Sequence, residues 1–260
     1  MRTVHWIPIA GAAACIAGLA LVHLVTPLPP VGWAAGATYA VVSNTLLGVG
    51  LHRRSATRVG WANIVTTTRS TLVALITAIV AASFVTPIPV ALLVALAIPA
   101  LALDAVDGWV ARRTGSASEL GARYDMEVDA FLLMALSAYV AQTLGVWVLA
   151  IGLMRYAFVA VGWALPWFRA QLPPRYWRKV VTAAQGIALT FAASGLFPQL
   201  AVPLVLAALL LLAESFGRDV VWLVRRRWPA TDPATDRVRY SAAPRASDRR
   251  TDPSPPAPPG

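Results

Sequence analysis

Residues 104–129 read DAVDGWVARRTGSASELGARYDMEVD and contain every acidic residue that precedes Glu214. The rest of the chain is strongly apolar: 58% of its 260 residues are hydrophobic, 13% are charged, and the mean hydropathy is +0.64. A soluble domain carries about a quarter charged residues. We therefore expect an all-α integral membrane protein, in which this concentration of carboxylates requires a physical explanation.

Apolar runs long enough to cross a bilayer, about 20 residues each, recur along the chain. Proline and glycine residues separate them, and the pattern predicts eight spans. Their approximate bounds are 7–26, 32–51, 67–86, 90–111, 126–145, 147–168, 180–197 and 199–224. A cleaved leader over Met1–Val25 is disfavoured because apolar sequence continues past Cys15. Residues 228–260 are rich in proline and polar residues and predict a disordered tail.

Charge in the loops predicts the orientation. Every second loop is rich in arginine, and the loops between them contain neither Lys nor Arg. The basic stretches are 53–58, 112–123, 169–179 and 225–227. The positive-inside rule places these loops and both termini in the cytoplasm. We therefore interpret the net charge of +10 as a topology signal with contacts to lipid headgroups, and we expect no nucleic-acid partner. Arginine greatly outnumbers lysine, and Lys179 is the only lysine. Together with the many Ala and Val residues, this bias indicates a GC-rich bacterial genome, so we expect a protein of a bacterial plasma membrane.

Helical spacing brings four aspartates together. Asp104 and Asp107 lie near the cytoplasmic end of the fourth span, and Asp125 and Asp129 begin the fifth. Each pair shares one helix face, and the short connection makes the two spans antiparallel neighbours. Four carboxylates in one pocket would repel one another, so we expect one or two divalent cations. Oxygen-only ligands favour Mg²⁺ or Mn²⁺, which often bind substrate phosphates as well.

Small residues and an arginine accompany the aspartates. Gly108, Ala111 and Gly121 leave room for a ligand, and Arg112 can bind phosphate with two hydrogen bonds. A purely structural role for each residue, in helix packing or ion pairs, is the alternative. This structural alternative does not explain why four acids face inward at helical spacing. The two spans that carry them contain no basic residue that could pair with them.

The same segment resembles the signature of the CDP-alcohol phosphatidyltransferase family at all eight fixed positions. These are Asp104, Asp107, Gly108, Ala111, Arg112, Gly121, Asp125 and Asp129. The resemblance implies a six-helix core over residues 59–227. A two-helix membrane extension over residues 1–58 would precede this core, and a cytoplasmic tail over residues 228–260 would follow it.

The resemblance also implies a mechanism. The four aspartates would hold a two-metal centre of Mg²⁺ or Mn²⁺, and Asp129 would also act as general base. Gly108, Ala111, Arg112 and Gly121 would shape the site for the cytidine diphosphate group. The expected donor is CDP-diacylglycerol or another CDP-alcohol, and the other partners are an acceptor alcohol and membrane lipids. The products are a phosphodiester and CMP. A homodimer is left open.

Polar residues at the start of the third span form a helical stripe of Asn63, Thr66 and Arg69. The resemblance implies that such an Asn, Thr and Arg lie near the nucleotide, with Asn63 and Thr66 as contacts to it. The alternative is a helix cap at Asn63 with Arg69 as an interfacial anchor, and the sequence favours neither interpretation.

Three further cations are candidates for binding the acceptor: Arg155 within the sixth span, and Arg178 and Lys179 at the start of the seventh. Together they favour a phosphorylated acceptor such as glycerol phosphate or inositol phosphate. Two other function classes stay open: a small cation-coupled transporter that uses the acids as an ion path, and a catalytically inactive membrane scaffold. The spacing of Gly108, Ala111, Arg112 and Gly121 disfavours the transporter, and the presence of all four aspartates disfavours the scaffold.

Overall fold

The computed structural model describes residues 6–53, 61–114, 119–169 and 176–227, and within these ranges the chain is helical and contains no strand. The α-helices are α1 (Trp6–Val25), α2 (Pro30–Arg53), α3 (Trp61–Ser83), α4 (Val90–Thr114), α5 (Glu119–Leu144), α6 (Leu149–Ala164), α7 (Tyr176–Ser194) and α8 (Pro198–Arg227). Short 3₁₀ turns at Val146–Val148 and Pro166–Arg169 flank α6. The expected all-α fold is confirmed.

Four described segments are long and apolar enough to cross a membrane: Val65–Ser83, Tyr124–Leu144, Val146–Ala164 and Pro198–Arg226. Ile9–Val25 and Val90–Asp104 are apolar but shorter. The protein is therefore an integral membrane protein, while the count of eight spans and the cytoplasmic orientation stay predictions. The predicted tail over residues 228–260 lies outside the described residues.

Proline and glycine set the helix boundaries. Both α2 and α8 begin at a proline. The fixed φ of proline suits the first helical position, and the N–H that proline lacks would make no hydrogen bond within the helix there. Gly145 ends α5 with φ 101°, and Gly195 ends α7 with φ 65°. Only glycine adopts this left-handed region without strain, so the chain turns sharply between consecutive antiparallel helices at these two points.

The central helix of the bundle is α3, which packs against α1, α2, α4 and α5. Its middle turns are fully buried, as at Val73, Ile76 and Ile79. By contrast, α6 and α8 expose large apolar side chains such as Trp163 and Leu210. A membrane helix can expose such side chains to lipid, so these faces fit the hydrocarbon core.

The first two helices pack on α3 at close range through glycines. A Cβ atom added at Gly36 would lie 2.9 Å from both Ala78 Cβ and Leu19 Cδ2. A Cβ atom at Gly32 would lie 2.9 Å from the carbonyl oxygen of Ala78. Such small residues allow helix backbones to approach closely in a membrane. The helices α1 and α2 therefore form one packed body with α3.

We expect Gly36→Ala to lower the thermal unfolding midpoint in detergent, because the added methyl group overlaps two neighbours and overpacking costs about 1–3 kcal/mol. Gly217→Ala is the matched control, since its Cβ would meet nothing within 4 Å and alanine favours a helix by up to about 1 kcal/mol. Tryptophan fluorescence during heating measures both midpoints. Equal midpoints for the two variants would contradict the close packing of α2 on α3.

Candidate active site

A buried arginine joins three helices at one end of the bundle. Arg69 of α3 is fully buried, and its Nη1 lies 3.0 Å from Oδ1 of Asp104 in α4. The same nitrogen lies 2.5 Å from Oδ1 of Asp125 in α5, and Nη2 contacts Oδ1 of Asp129. We call these four residues the Arg69 cluster. The predicted convergence of Asp104, Asp125 and Asp129 is therefore observed, and a cation of the chain lies among them.

The local helix geometry accounts for this arrangement. Asp125 and Asp129 are one turn apart on α5, so they face the same side. Glu127, between them in sequence, points away and pairs with Arg155 of α6. Asp104 reaches the same point from α4, which packs against α3 and α7, as α5 also does.

The charges and donor atoms of the cluster fit a hard divalent cation. One carboxylate oxygen from each of Asp104, Asp125 and Asp129 can be chosen so that all three lie within 4.8 Å of one another. Three carboxylates and one guanidinium leave a formal charge of −2. The side chains of Asp104, Asp125 and Asp129 are 41%, 31% and 23% exposed, so they remain accessible on the side away from Arg69. Oxygen ligands of this kind suit Mg²⁺ or Mn²⁺.

Several predicted site residues lie in described helices, but their side chains are not among those that the structure describes. The backbone of α4 carries Asp107, Gly108, Ala111 and Arg112, and the first turn of α3 carries Asn63. Asp107 follows Asp104 by one helical turn. The roles assigned to these five residues stay predictions.

Two other predicted nucleotide contacts are described. Thr66 is buried one turn before Arg69 on α3, and Gly121 is half-buried one turn before Asp125 on α5. Both lie on the helical turns that lead into the Arg69 cluster. Their placement beside the cluster is compatible with the predicted role, which stays a prediction.

An apolar cavity of about 570 Å³ opens from the cluster between α4, α5 and α7. Asp104 and Asp129 lie in its wall, which is otherwise mostly aliphatic and aromatic. The wall includes Ile98, Leu101, Leu132, Leu133, Ile187 and Phe191. Along α7 it extends from Thr182 to Ser194, which is about 18 Å at 1.5 Å per residue. The cavity is thus long and mostly apolar, with carboxylates in its lining.

The three candidate acceptor residues each lie in a different setting. Arg155 contacts Glu127, which is half-exposed. Arg178 binds buried Asp219 of α8 with two nitrogens, Nε at 2.9 Å and an Nη atom at 3.0 Å. Lys179 is exposed beside it. Their predicted role in binding the acceptor stays a prediction.

The sequence offered two interpretations of Arg69, a place near the nucleotide and an interfacial anchor, and neither predicted that it pairs with the aspartates. An interfacial anchor would keep its guanidinium exposed, whereas Arg69 is fully buried among carboxylates, so that interpretation is wrong. One observation in the sequence could have found it. Arg69 is a lone cation well inside an apolar helix, and the only acids available before Glu214 are those of residues 104–129.

Comparison with known families gives one match. The family model described as CDP-alcohol phosphatidyltransferase matches residues 59–214, which is more than half of the chain. The matched region contains Arg69 and all of residues 104–129. No curated protein and no solved structure matches the chain.

We expect Mn²⁺ to raise the thermal unfolding midpoint of the protein, since a ligand that binds only the folded state stabilises it by about 2.7 kcal/mol at 100 times its Kd. Asp125→Asn should reduce this Mn²⁺-dependent rise, because it removes one charged ligand. Glu127→Gln is the matched control: it lies two residues away on the opposite face of α5 and should retain the rise. A rise of the same size in Asp125→Asn would place the ion elsewhere.

Proposed function

The chain belongs to the CDP-alcohol phosphatidyltransferase family, and we propose that it transfers a substituted phosphate from CDP-diacylglycerol to an acceptor alcohol, with release of CMP. One observation supports this proposal above all others. Asp104 and Asp129, two members of a carboxylate cluster suited to a hard cation, also line a long apolar cavity. CDP-diacylglycerol matches both parts of this site: its charged pyrophosphate suits the cation held by the carboxylates, and its acyl chains suit the apolar cavity.

The apolar cavity favours a lipid donor over a soluble CDP-alcohol. Its wall is mostly aliphatic, and it extends by about 18 Å along α7. An acyl chain in this cavity would be surrounded mostly by apolar side chains. The pyrophosphate of the same donor would then lie at Asp104 and Asp129. A soluble donor would leave most of the cavity unused.

Asp104, Asp107, Asp125 and Asp129 would hold the divalent cations, as a two-metal centre of Mg²⁺ or Mn²⁺. When bound, these ions would neutralise negative charge on the pyrophosphate and on the departing CMP. Arg69 keeps three of the carboxylates directed at one point, even though they repel one another. Gly108, Ala111, Arg112, Gly121, Asn63 and Thr66 would bind the cytidine diphosphate group.

Asp129 would act as the general base. It accepts the proton of the acceptor hydroxyl while a bond forms between that oxygen and the lipid-bearing phosphorus. The bond from this phosphorus to the bridging oxygen breaks at the same time, and CMP leaves with that oxygen. Asp129 suits this role because it lines the cavity in which the donor would bind.

The acceptor would be a phosphorylated alcohol bound by Arg155, Arg178 and Lys179. Arg155 and Arg178 are both engaged with carboxylates, so an acceptor phosphate would exchange for Glu127 or Asp219 as the partner. Lys179 is exposed and can approach a phosphate directly. Glycerol phosphate and inositol phosphate are the first acceptors to compare.

We expect purified protein with CDP-diacylglycerol, Mn²⁺ or Mg²⁺ and a suitable acceptor to release CMP, which chromatography of the nucleotides measures. Asp129→Asn should lower kcat by about 10²–10⁴-fold, because an amide cannot accept the proton. Glu214→Gln is the control, since this carboxylate pairs with Arg218, accepts a hydrogen bond from Trp177 and does not belong to the carboxylate group suited to a metal. Absence of CMP with every acceptor tested, or equal rates in Asp129→Asn, would contradict the proposed function.

We expect Ala183→Phe to raise the KM for long-chain CDP-diacylglycerol about tenfold, because the new ring occupies the cavity. A short-chain donor needs less of this volume, so its KM should change much less. Steady-state kinetics with both donors measure the difference. The matched control is Ala207→Phe, which places the same ring on an exposed position of α8. An equal change for both donors would argue against acyl chains in the cavity.

A further inference from the structure

One hydroxyl group in the wall of the apolar cavity has no hydrogen-bond partner among the described residues. It belongs to Thr190 of α7, which lines the cavity and is only 7% exposed. Several buried polar atoms in the described part of the chain lack a partner, and Thr190 Oγ1 is the one whose residue lies in this wall. An unpaired hydroxyl in an apolar environment is costly, so this position indicates a ligand that accepts a hydrogen bond.

The other two hydroxyls that α7 contributes to the cavity wall are bonded to its own backbone. Thr182 donates a hydrogen bond to the carbonyl oxygen of Arg178 at 3.0 Å, and Ser194 donates one to the carbonyl oxygen of Phe191 at 2.7 Å. Serine and threonine within helices commonly bond to the preceding turn in this way. Thr190 lies between Thr182 and Ser194 and makes no such bond. Its hydroxyl is therefore available to a ligand in the cavity.

Thr190 lies deep in the cavity, away from the carboxylates. A Cβ atom added at Gly186 of α7 would lie 2.5 Å from Leu101 Cδ2 of α4, so these two residues lie at the same level. Leu101 is three residues from Asp104, where the α4 part of the wall ends, and Gly186 is four residues from Thr182, where the α7 part begins. The carboxylates therefore lie at the Thr182 end of α7. Thr190 is eight residues farther along, which is about 12 Å at 1.5 Å per residue.

The proposed donor has hydrogen-bond acceptors at this depth. In CDP-diacylglycerol the ester carbonyl oxygens are about six or seven bonds from the lipid-bearing phosphorus, which is about 7–8 Å in an extended chain. A divalent cation between a carboxylate oxygen and a phosphate oxygen adds about 4 Å, at about 2.1 Å for each contact. An ester carbonyl would thus lie near the level of Thr190, and the hydrocarbon beyond it offers no acceptor.

We propose that the Thr190 hydroxyl donates a hydrogen bond to an ester carbonyl oxygen of the donor lipid, so that the cavity selects ester-linked over ether-linked chains. Thr190 is then a specificity residue, which contacts the lipid about 12 Å from the carboxylate end and takes no part in the transfer step. This inference rests on the proposed lipid donor and adds the chemical class of its chain linkage. A dialkyl donor has a methylene group in place of each carbonyl group, so it fills the same cavity but offers no carbonyl acceptor.

The test compares CDP-diacylglycerol with a CDP-dialkylglycerol of equal chain length, both bound to the full chain in detergent with Mg²⁺. Isothermal titration calorimetry measures the two Kd values. The wild-type protein should bind the diacyl donor about 3- to 10-fold more tightly, which is the range expected for one hydrogen bond. Thr190→Val replaces the hydroxyl with a methyl group and should abolish this preference by weakening the diacyl donor alone. Thr190→Ser keeps a hydroxyl and should retain the preference, and the KM values for CMP release should follow the same pattern with kcat unchanged.

Thr77→Val is the matched control, since the Thr77 hydroxyl of α3 already donates to the carbonyl oxygen of Val73 at 2.7 Å and the residue is not part of the cavity wall. It should leave the preference unchanged. A wild-type preference in Thr190→Val, or an equal loss of affinity for both donors, would overturn the ester contact while leaving the proposed function intact. If the protein binds the diacyl donor more tightly in a Thr190-dependent way but releases no CMP with any acceptor, the proposed transfer fails and the ester contact stands. Binding of neither donor would overturn both.

Discussion

The ion pairing of Arg69 with three aspartates is the interaction on which the rest of the structure depends. A guanidinium buried in an apolar bundle is costly unless anions compensate it, and three adjacent carboxylates are costly without a cation. The guanidinium and the carboxylates therefore stabilise each other, and their ion pairs hold α3, α4 and α5 together at one end of the bundle. The cluster keeps a formal charge of −2, so it is organised by the arginine and still attracts a divalent cation.

The surrounding helices use this fixed point in different ways. On one side, α7 closes an apolar cavity against α4 and α5, and Asp104 and Asp129 lie in its lining, where the proposed donor would place its headgroup. On the other side, α2 packs closely on α3 at Gly32 and Gly36. At the ends of α7 and α8, Arg178 and Asp219 join the last two helices. Polar contacts thus hold the helix ends, while apolar contacts hold their middles.

Much of this architecture could be predicted from the sequence, because helix boundaries and helix faces are local properties. Proline and glycine marked the turns, and the spacing of Asp125 and Asp129 placed both on one face. Contacts between helices that are distant in sequence could not be predicted. Periodicity shows which residues share a helix face, but it does not show which other helix that face contacts. For this reason the pairing of Arg69 with the three aspartates was not predicted. Likewise, the sequence did not give Glu127 as the partner of Arg155 or Asp219 as the partner of Arg178.

Anomalous X-ray diffraction from crystals of the protein grown with Mn²⁺ and CDP-diacylglycerol tests the central claim most directly. The account predicts an anomalous peak within coordination distance, about 2.0–2.2 Å, of carboxylate oxygens of Asp104, Asp125 and Asp129. It also predicts pyrophosphate density against that peak and acyl density in the cavity between α4, α5 and α7. A cluster in which Arg69 alone occupies the space among the carboxylates, with Mn²⁺ and the pyrophosphate bound elsewhere, would contradict it.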